Sequence, residues 1–366
     1  MGKKICVCFD GTWNTPRNEA DLAAVTPAGD GAGTDKVDPK AGVETNVCRL
    51  YRSISTASGS LAQIKWYDKG VGTNWYDRVA GGAFGLGLSR KIREGYKYLS
   101  EVYDDDDDVF IFGFSRGAYT ARSLVGMIRN CGLMPKGTLQ GPDLDTNPPL
   151  LEAYELYRTR DDSPDSIRAQ HFREKYNSKV IEIRFLGVWD TVGALGIPIE
   201  SFDEFNKQQF EFHDTELSGI VKNAYHAIAV DEHRQPYTPT LWDPKVKLNQ
   251  TVEQRWFIGA HADIGGGYKN RSLSDMTLNW MQEKAQTCGL KLDPAGIPNV
   301  TEKNWAGTIA DSFREFMGGL FHLFHKPYYR PIGRAEFGNE VIDDCVAGRM
   351  KSDVSYRPKN PGLKIG

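Results

Sequence analysis

The 366-residue chain lacks the features that mark membrane-spanning, nucleic-acid-binding and Sec-exported proteins. No apolar run approaches the ~18 residues that a membrane-spanning helix requires. There is no basic tract, and the formal charge is −3, so we expect no nucleic-acid partner. No charged segment followed by an apolar stretch opens the chain. We therefore expect synthesis in the cytoplasm, with any export by a non-Sec route.

Metal-binding and disulfide patterns are also missing from the sequence. The six cysteines show no paired CxxC spacing, and disulfides are not expected in a reducing compartment. His322 and His325 lie three residues apart, but no nearby acid or cysteine completes a metal-binding set. The acidic run 104–108 lacks the alternating spacing and the glycine of a calcium loop, and it is typical of a solvated turn. The sequence therefore predicts neither a metal nor a cofactor.

Apolar runs alternating with helical patterns indicate the fold class. The runs typical of buried strands are Ile5–Phe9, Val109–Phe112, Ile181–Trp189, Tyr225–Val230 and Trp256–Ala260. Helical patterns lie between or after them, at about residues 89–103, 118–130 and 272–288. This alternation predicts an α/β fold with a mainly parallel central sheet flanked by helices. Functional sites in such folds lie at the carboxyl ends of the strands, where polar residues follow each of these runs.

We predict that residues 1–366 form a single domain with loop insertions. Two stretches rich in proline, glycine and polar residues, about 15–45 and about 133–170, are interpreted as those insertions. The second contains a short helical pattern at Leu150–Tyr157. Residues of about 300–330 are expected to be helical. Within them, 305–324 present a broad apolar face that fits either an interfacial or lid helix or, as we favour, a helix packed on the sheet.

The segment 113–117 matches the Gly-x-Ser-x-Gly pattern, in which a serine occupies a sharp strand-to-helix turn. An apolar run precedes it and a helical stripe follows it, as that turn requires. Gly113 and Gly117 remove side chains where the strand and the helix must approach closely. This context favours Ser115 as an exposed nucleophile over an incidental serine in a glycine-rich turn.

A serine nucleophile needs a base, and three histidines are candidates for that role. His261 directly follows a strand-like run and precedes a glycine-rich segment, which would let the imidazole reach the serine. His226 lies within a strand pattern and is expected to be a core residue. His233 belongs to a charged segment that we expect to be solvated. His261 is therefore the predicted base.

The base in turn needs an orienting acid, for which three aspartates are available. Asp190 ends a buried strand pattern and precedes a loop, so it is the predicted acid. Asp231 also follows a strand pattern and is the rival. Asp263 lies two residues from the predicted base and is a further alternative, although it would equally brace the glycine-rich segment. An aspartate that merely caps a turn remains an interpretation of Asp190 as well.

Acyl transfer also requires backbone donors for the developing oxyanion. The N–H of Arg116, directly after the serine, is one predicted donor. The other is expected from the loop after the first strand, through Gly11 or Thr12. The same stretch approaches a phosphatase signature, but Cys8 stands where that chemistry needs its nucleophilic aspartate, so we set it aside.

Four motifs occurring in order resemble one known family. They are Cys-Phe-Asp-Gly-Thr-Trp-Asn at 8–14, Gly-Phe-Ser-Arg-Gly at 113–117, Gly-Val-Trp-Asp-Thr-Val-Gly at 187–193 and His-Ala-Asp-Ile-Gly-Gly-Gly-Tyr at 261–268. The chain is similar to the bacterial and fungal family of α/β-hydrolase domains that includes type VI secretion phospholipase effectors. The resemblance implies an α/β-hydrolase-like fold and a triad formed by Ser115, Asp190 and His261.

These observations together predict a serine carboxylester hydrolase, and the resemblance implies a phospholipase that releases fatty acid from glycerophospholipids. Two alternatives stay open: an esterase or thioesterase acting on small soluble acyl substrates, and a hydrolase-fold interaction module without turnover. The expected partners are a phospholipid or other acyl ester and, peripherally, a membrane. A secretion apparatus or an immunity protein is implied by the resemblance alone.

Overall fold

The computed structural model describes most of the chain. The described residues are 2–11, 43–56, 62–70, 83–141, 143–159, 163–193, 216–242, 247, 249–316, 320–334 and 339–364. Nearly all of the predicted insertion at 15–45 lies outside them, and so does Thr12. The expectation that residues 1–366 form one domain stays a prediction.

Within the described ranges, seven strands form one sheet in which all neighbours are parallel. The strands are β1 Lys4–Phe9, β2 Gln63–Asp68, β3 Asp108–Phe114, β4 Phe185–Trp189, β5 Asn223–Ala229, β6 Thr251–Phe257 and β7 Glu340–Ile342. Their spatial order is β2-β1-β3-β4-β5-β6-β7. The predicted α/β fold with a mainly parallel central sheet flanked by helices is confirmed.

Helices connect these strands and cover the sheet on both faces. They are α1 Asn46–Ser53, α2 Ala83–Val102, α3 Arg116–Cys131, α4 Pro148–Arg158, α5 Ile167–Tyr176, α6 His261–Gly265, α7 Ser272–Thr287, α8 Ser312–Glu315, α9 Phe321–Phe324 and α10 Asp344–Ser352. Among the described helices, none has both the length and the apolar character that spanning a bilayer requires. The helices predicted at 118–130 and 272–288 agree with α3 and α7 to within two residues.

The sheet separates two apolar cores because successive side chains of a strand point to opposite faces. In β1, Ile5 and Val7 join the core covered by α2, α3, α4 and α5. Cys6 and Cys8 join the core covered by α1, α7 and α10. The central strands are thus buried on both faces, which explains their uninterrupted apolar sequences.

The predicted insertion over 133–170 contains the short helix that the sequence indicates at Leu150–Tyr157 and part of a second helix. It includes all of α4 and the start of α5. Asn147 caps α4 by accepting a hydrogen bond from the N–H of Leu150, and Ser166 caps α5 by accepting from the N–H of Ala169. These caps satisfy backbone donors that a helix otherwise leaves unpaired.

Residues of about 300–330 are expected to be helical, but no continuous helix covers the described part of this range. The described residues form a 3₁₀ turn at Glu302–Ala306 and the short helices α8 and α9 instead. Phe313 and Phe321 are buried, whereas Leu323 and Phe324 are exposed. The apolar residues of this region therefore divide between a core and the surface.

The strand order places a switch point between β1 and β3. The chain leaves β1 towards β2 on one side and proceeds from β3 to β4 on the other. In open parallel sheets a crevice forms at the carboxyl ends of two such strands. Asp10 follows β1 and Ser115 follows β3, so both lie at this crevice. Because all the strands are parallel, Asp190 after β4 reaches the same edge of the sheet.

Candidate active site

Ser115 occupies the junction between β3 and α3. Its φ of 57° and ψ of −118° are rare for a residue other than glycine. Its N–H donates to the Trp189 carbonyl at 3.0 Å, which ties the turn to β4. The conformation places the serine at the N-terminus of α3, where the helix dipole favours negative charge.

The predicted role of the two flanking glycines is confirmed. A Cβ on Gly117 would lie 2.2 Å from the carbonyl oxygen of Phe9, and one on Gly113 would lie 2.5 Å from the carbonyl oxygen of Gly117. Both neighbours are backbone atoms, so a larger residue would displace a strand or the helix. The glycines thus allow α3 to cross β1 and β3 directly behind Ser115.

His261 connects the predicted nucleophile to the predicted acid. Its Nε2 lies 2.8 Å from Ser115 Oγ, and its Nδ1 lies 2.6 Å from Asp190 Oδ2. The segment that follows was predicted as a glycine loop, but His261 is the first residue of the one-turn helix α6. The structure therefore brings the three residues into one hydrogen-bonded chain.

Aromatic rings and a buried carboxylate hold the His261 imidazole and its backbone. The ring centroid lies 4.8 Å from that of Phe114 and 5.0 Å from that of Tyr237. The His261 N–H donates to Glu232 Oε2 at 3.2 Å. Only 5% of the residue is exposed, so its orientation is set by these contacts.

Asp190 is fully buried and accepts hydrogen bonds at both carboxylate oxygens. Besides His261, its partners are the N–H of Ala229, 3.0 Å from Oδ1, and the guanidinium of Arg330. Arg330 donates to Oδ1 at 2.7 Å and to Oδ2 at 3.0 Å, a bidentate arrangement. Asp190 also adopts a φ of 38°, a second unusual backbone conformation at the site.

The electrostatic environment favours a neutral His261 beside an ionised Asp190. Burial alone would raise the pKa of Asp190, but the charge of Arg330 and the hydrogen bond from His261 outweigh it and hold that pKa well below its usual value. Burial lowers the pKa of His261, against the opposing attraction of the carboxylate. A neutral imidazole can accept a proton, so this is the charge state that a general base needs.

The two alternative acids are engaged elsewhere. Asp231 Oδ2 accepts from the Gly259 N–H at 2.8 Å and from the Tyr356 hydroxyl at 3.0 Å. Asp263 Oδ2 accepts from the N–H groups of Ala260, at 2.9 Å, and Ala310, at 3.0 Å. Asp263 thus braces the start of α6, and the carboxylate beside the imidazole is the one predicted first.

The charged segment after β5 is not solvated, contrary to our expectation. Glu232 is fully buried and Arg234 nearly so, and they form an ion pair with Nε–Oε1 and Nη2–Oε2 distances of 2.7 Å. Burial would raise the pKa of Glu232, but its hydrogen bonds to Arg234 lower it to about 2. The Arg234 guanidinium lies 3.6 Å from the Tyr237 ring centroid. A second buried ion pair therefore adjoins His261.

The proposed oxyanion donors are only partly described by the structure. Arg116 is the first residue of α3, so its N–H lies at the helix N-terminus next to Ser115. The N–H of Gly11 donates to Asp10 Oδ1 at 2.6 Å and is engaged in this conformation. Thr12 lies outside the described residues.

Arg330, Glu232 and Arg234 were not among the predicted site residues. Arg330 lies in a Tyr-Tyr-Arg-Pro segment without strand or helix periodicity, and no motif marks it. The two others belong to a run of charges, which usually indicates a solvated surface. Across the described ranges, His, Cys, Asp and Glu side chains form no group of three that could hold a metal ion.

Ser115, Asp190 and His261 lie within a family match found by comparison with known proteins. The family model described as "T6SS, Phospholipase effector Tle1-like, catalytic domain" matches residues 3–284. The uncharacterized protein YEL023C of Saccharomyces cerevisiae is 26% identical over an alignment of 271 positions, which covers 67% of this chain and 34% of the yeast protein.

Two solved structures are also similar to the chain. A Tle1 effector bound to the VgrG spike of the type 6 secretion system is 22% identical, with a TM-score of 0.41, covering 74% of this chain and 52% of that one. An uncharacterized protein from Pseudomonas aeruginosa is 18% identical, with a TM-score of 0.42, covering 85% and 49%. The chain thus spans between a third and about half of the length of these relatives.

Proposed function

We propose that this chain, which belongs to the family of Tle1-like catalytic domains of type VI secretion phospholipase effectors, is a serine carboxylester hydrolase that releases fatty acid from glycerophospholipids. The observation that carries the proposal is the continuous hydrogen-bonded chain from Ser115 Oγ through His261 to Asp190, at 2.8 and 2.6 Å. A serine in a strained strand-to-helix turn, a neutral histidine and a buried ionised carboxylate are the parts that acyl transfer needs.

In the proposed mechanism, Ser115 Oγ attacks the acyl carbonyl carbon while His261 Nε2 takes the hydroxyl proton. The resulting imidazolium is stabilised by Asp190, which accepts the Nδ1–H hydrogen bond. Collapse of the tetrahedral intermediate breaks the ester bond, and His261 passes its proton to the leaving alcohol oxygen, which leaves as lysolipid. His261 then deprotonates a water that attacks the acyl-enzyme. Fatty acid is released and Ser115 regains its proton.

The tetrahedral oxyanion would form beside the N-terminus of α3. The backbone N–H of Arg116 is aligned with the positive end of that helix dipole, which favours the developing charge. The second donor is proposed to come from the loop after β1. Because the Gly11 N–H is engaged by Asp10, Thr12 is the donor that this proposal favours.

An exposed apolar patch beside the site favours a lipid over a small soluble ester. We define this patch as Leu320, Leu323 and Phe324, which are 58%, 63% and 81% exposed. Ring contacts lead from α9 to the imidazole: Phe321 to Phe316 at 5.3 Å, Phe316 to Tyr237 at 5.9 Å, and Tyr237 to His261 at 5.0 Å. The exposed Lys326 adjoins the patch and suits an anionic lipid surface.

Replacing part of the patch is expected to weaken hydrolysis of vesicles but not of a soluble ester. Burying a large apolar side chain in lipid is worth about 1.5–3 kcal/mol, so the Leu323→Ser/Phe324→Ser variant should lose at least ~10-fold in initial rate on vesicles. The matched control is Ile167→Ser/Val354→Ser, which removes two equally exposed apolar side chains elsewhere. Equal losses in both variants, or an equal loss on p-nitrophenyl butyrate, would contradict membrane contact by this patch.

Lipid mass spectrometry tests the substrate class directly. Vesicles of phosphatidylethanolamine and phosphatidylglycerol, treated with the protein, should yield free fatty acid and lysolipid in equal amounts. Release of a phosphorylated headgroup would contradict the ester chemistry. Intact lipids together with rapid hydrolysis of p-nitrophenyl butyrate would instead support the small-ester alternative.

Family membership also supports a proposal about partners. One structural relative is described as a Tle1 effector bound to a VgrG spike, and we propose that this chain likewise uses a non-Sec route through a secretion apparatus. Affinity purification of the protein from cells with an active type VI system should recover a spike component. Purification from such cells that recovers no spike component would contradict this assignment.

A further inference from the structure

We infer that Arg330 is a positioning residue for the proposed reaction: it holds Asp190 in the orientation that binds His261, and it pairs with the charge of that buried carboxylate. The inference rests on the proposed function. Arg330 lies well beyond residue 284, where the family match ends. The family model therefore does not include this part of the site.

The hydrogen bonds from Arg330 restrict the Asp190 carboxylate to one orientation. Its two Nη atoms each bond one oxygen of Asp190, at 2.7 and 3.0 Å. Because a guanidinium is planar, this pairing fixes the carboxylate plane as well as its distance. Oδ2 is then presented to His261 Nδ1 at 2.6 Å. Lysine, a point charge on a flexible stem, would not impose this plane.

The guanidinium is itself fixed from two sides of the site. Nη1 also donates to the Ala229 carbonyl at 2.9 Å, at the end of β5, and Nη2 donates to the Tyr237 carbonyl at 2.5 Å. The backbone carbonyl of Arg330 accepts from Asn360 Nδ2 at 2.9 Å. With Arg330 fully buried, these contacts leave little freedom to the side chain.

The charges around His261 are balanced in pairs. Asp190 is paired with Arg330, and Glu232 with Arg234. Without the Arg330 charge, the Asp190 carboxylate would stabilise the imidazolium more strongly, and the pKa of His261 would rise. His261 would then become protonated, and unable to act as a base, at a higher pH than in wild type. The other groups that face or adjoin the ring are Ser115, Phe114 and Tyr237, with Asp263 on the same helix.

The pH dependence of kcat/KM on p-nitrophenyl butyrate separates this role from a structural one. Wild type should show an acidic limb with a midpoint below 6.5, because burial lowers the pKa of His261. In Arg330→Met, the midpoint of the acidic limb should lie about one pH unit higher than in wild type. The plateau value of kcat/KM should fall about 10- to 100-fold, since Asp190 is no longer held in line with His261. Arg330→Lys should keep the limb at the wild-type position with a lowered plateau.

Two comparisons distinguish an effect on catalysis from an effect on folding. Arg93, which is 7% exposed and bonds the Leu144 carbonyl and Asp145, is the matched control, and Arg93→Met should leave the limb unchanged. In an Asp190→Asn background, adding Arg330→Met should cost little further activity, because Arg330 acts through Asp190. This double variant removes both buried charges, so it provides a measurement even if Arg330→Met alone does not fold.

The outcomes distinguish this inference from the proposed function. A limb in Arg330→Met that matches wild type, or fully additive losses in the double variant, would overturn the role of Arg330 while leaving the hydrolase proposal standing. Wild-type protein that hydrolyses no ester, and whose Ser115 reacts with no fluorophosphonate, would overturn both.

Discussion

Ser115→Ala is expected to abolish ester hydrolysis while leaving the protein folded. Serine at this position is the proposed covalent nucleophile, and losing such a group from a hydrogen-bonded triad lowers kcat by about 10⁴- to 10⁶-fold. The side chain adds only one hydroxyl to the turn, and the backbone bond from the Ser115 N–H to the Trp189 carbonyl persists in alanine. Hydrolysis of p-nitrophenyl butyrate, with circular dichroism as the fold check, measures the effect.

Fluorophosphonate labelling supplies the second measurement for this prediction. The probe should modify wild-type protein at Ser115 and leave Ser115→Ala unlabelled. Ser123, a buried serine further along α3, offers the matched control, and Ser123→Ala should be labelled and active. A folded wild type that takes up no label would favour an interaction module without turnover.

Asp190→Asn is expected to produce the second-largest loss, about 10⁴-fold in kcat. An amide can donate as well as accept, so it would permit a His261 tautomer that cannot accept the serine proton. It would also leave the guanidinium of Arg330 facing a neutral group at the centre of the fold. Labelling at Ser115 should slow in parallel with turnover, because both reactions need the same base.

Asp231→Asn is the comparison that decides the acid. Asp231 is also buried, but it bonds Gly259 and Tyr356 and makes no hydrogen bond to the imidazole. Turnover in this variant should stay within a few-fold of wild type, apart from any loss of folded protein. Equal losses in Asp190→Asn and Asp231→Asn would refute the assignment of Asp190.

The three central residues could be placed from sequence because parallel strands share one direction. Ser115 and Asp190 follow apolar runs, and their strands are neighbours in the sheet. His261 follows the sixth strand and reaches the serine across the same edge. A pattern that predicts strand ends therefore also predicts which polar groups meet, even without the strand order.

Other elements carried no such signal. Within the described part of the chain, β2 is an edge strand that pairs with β1. Its sequence, Gln-Ile-Lys-Trp-Tyr-Asp, lacks the apolar run of a central strand. Helix α5 buries only Ala169 and Phe172, which is too few for a recognisable stripe. Arg330 pairs with a carboxylate that lies 140 residues away in the chain. A charged residue in a sequence does not indicate which residue it will pair with in the fold.

The two buried ion pairs have a consequence for the thermodynamics of the fold. Removing an arginine and a carboxylate from water costs several kcal/mol for each ion, and an apolar pair of similar volume is often as stable or more so. The pairs of Asp190 with Arg330 and of Glu232 with Arg234 are therefore not evidence of added stability around the imidazole. The Asp190→Leu/Arg330→Met variant keeps no charge at this pair. Comparing its thermal unfolding with that of wild type would measure the difference in conformational stability between the charged and the apolar interior.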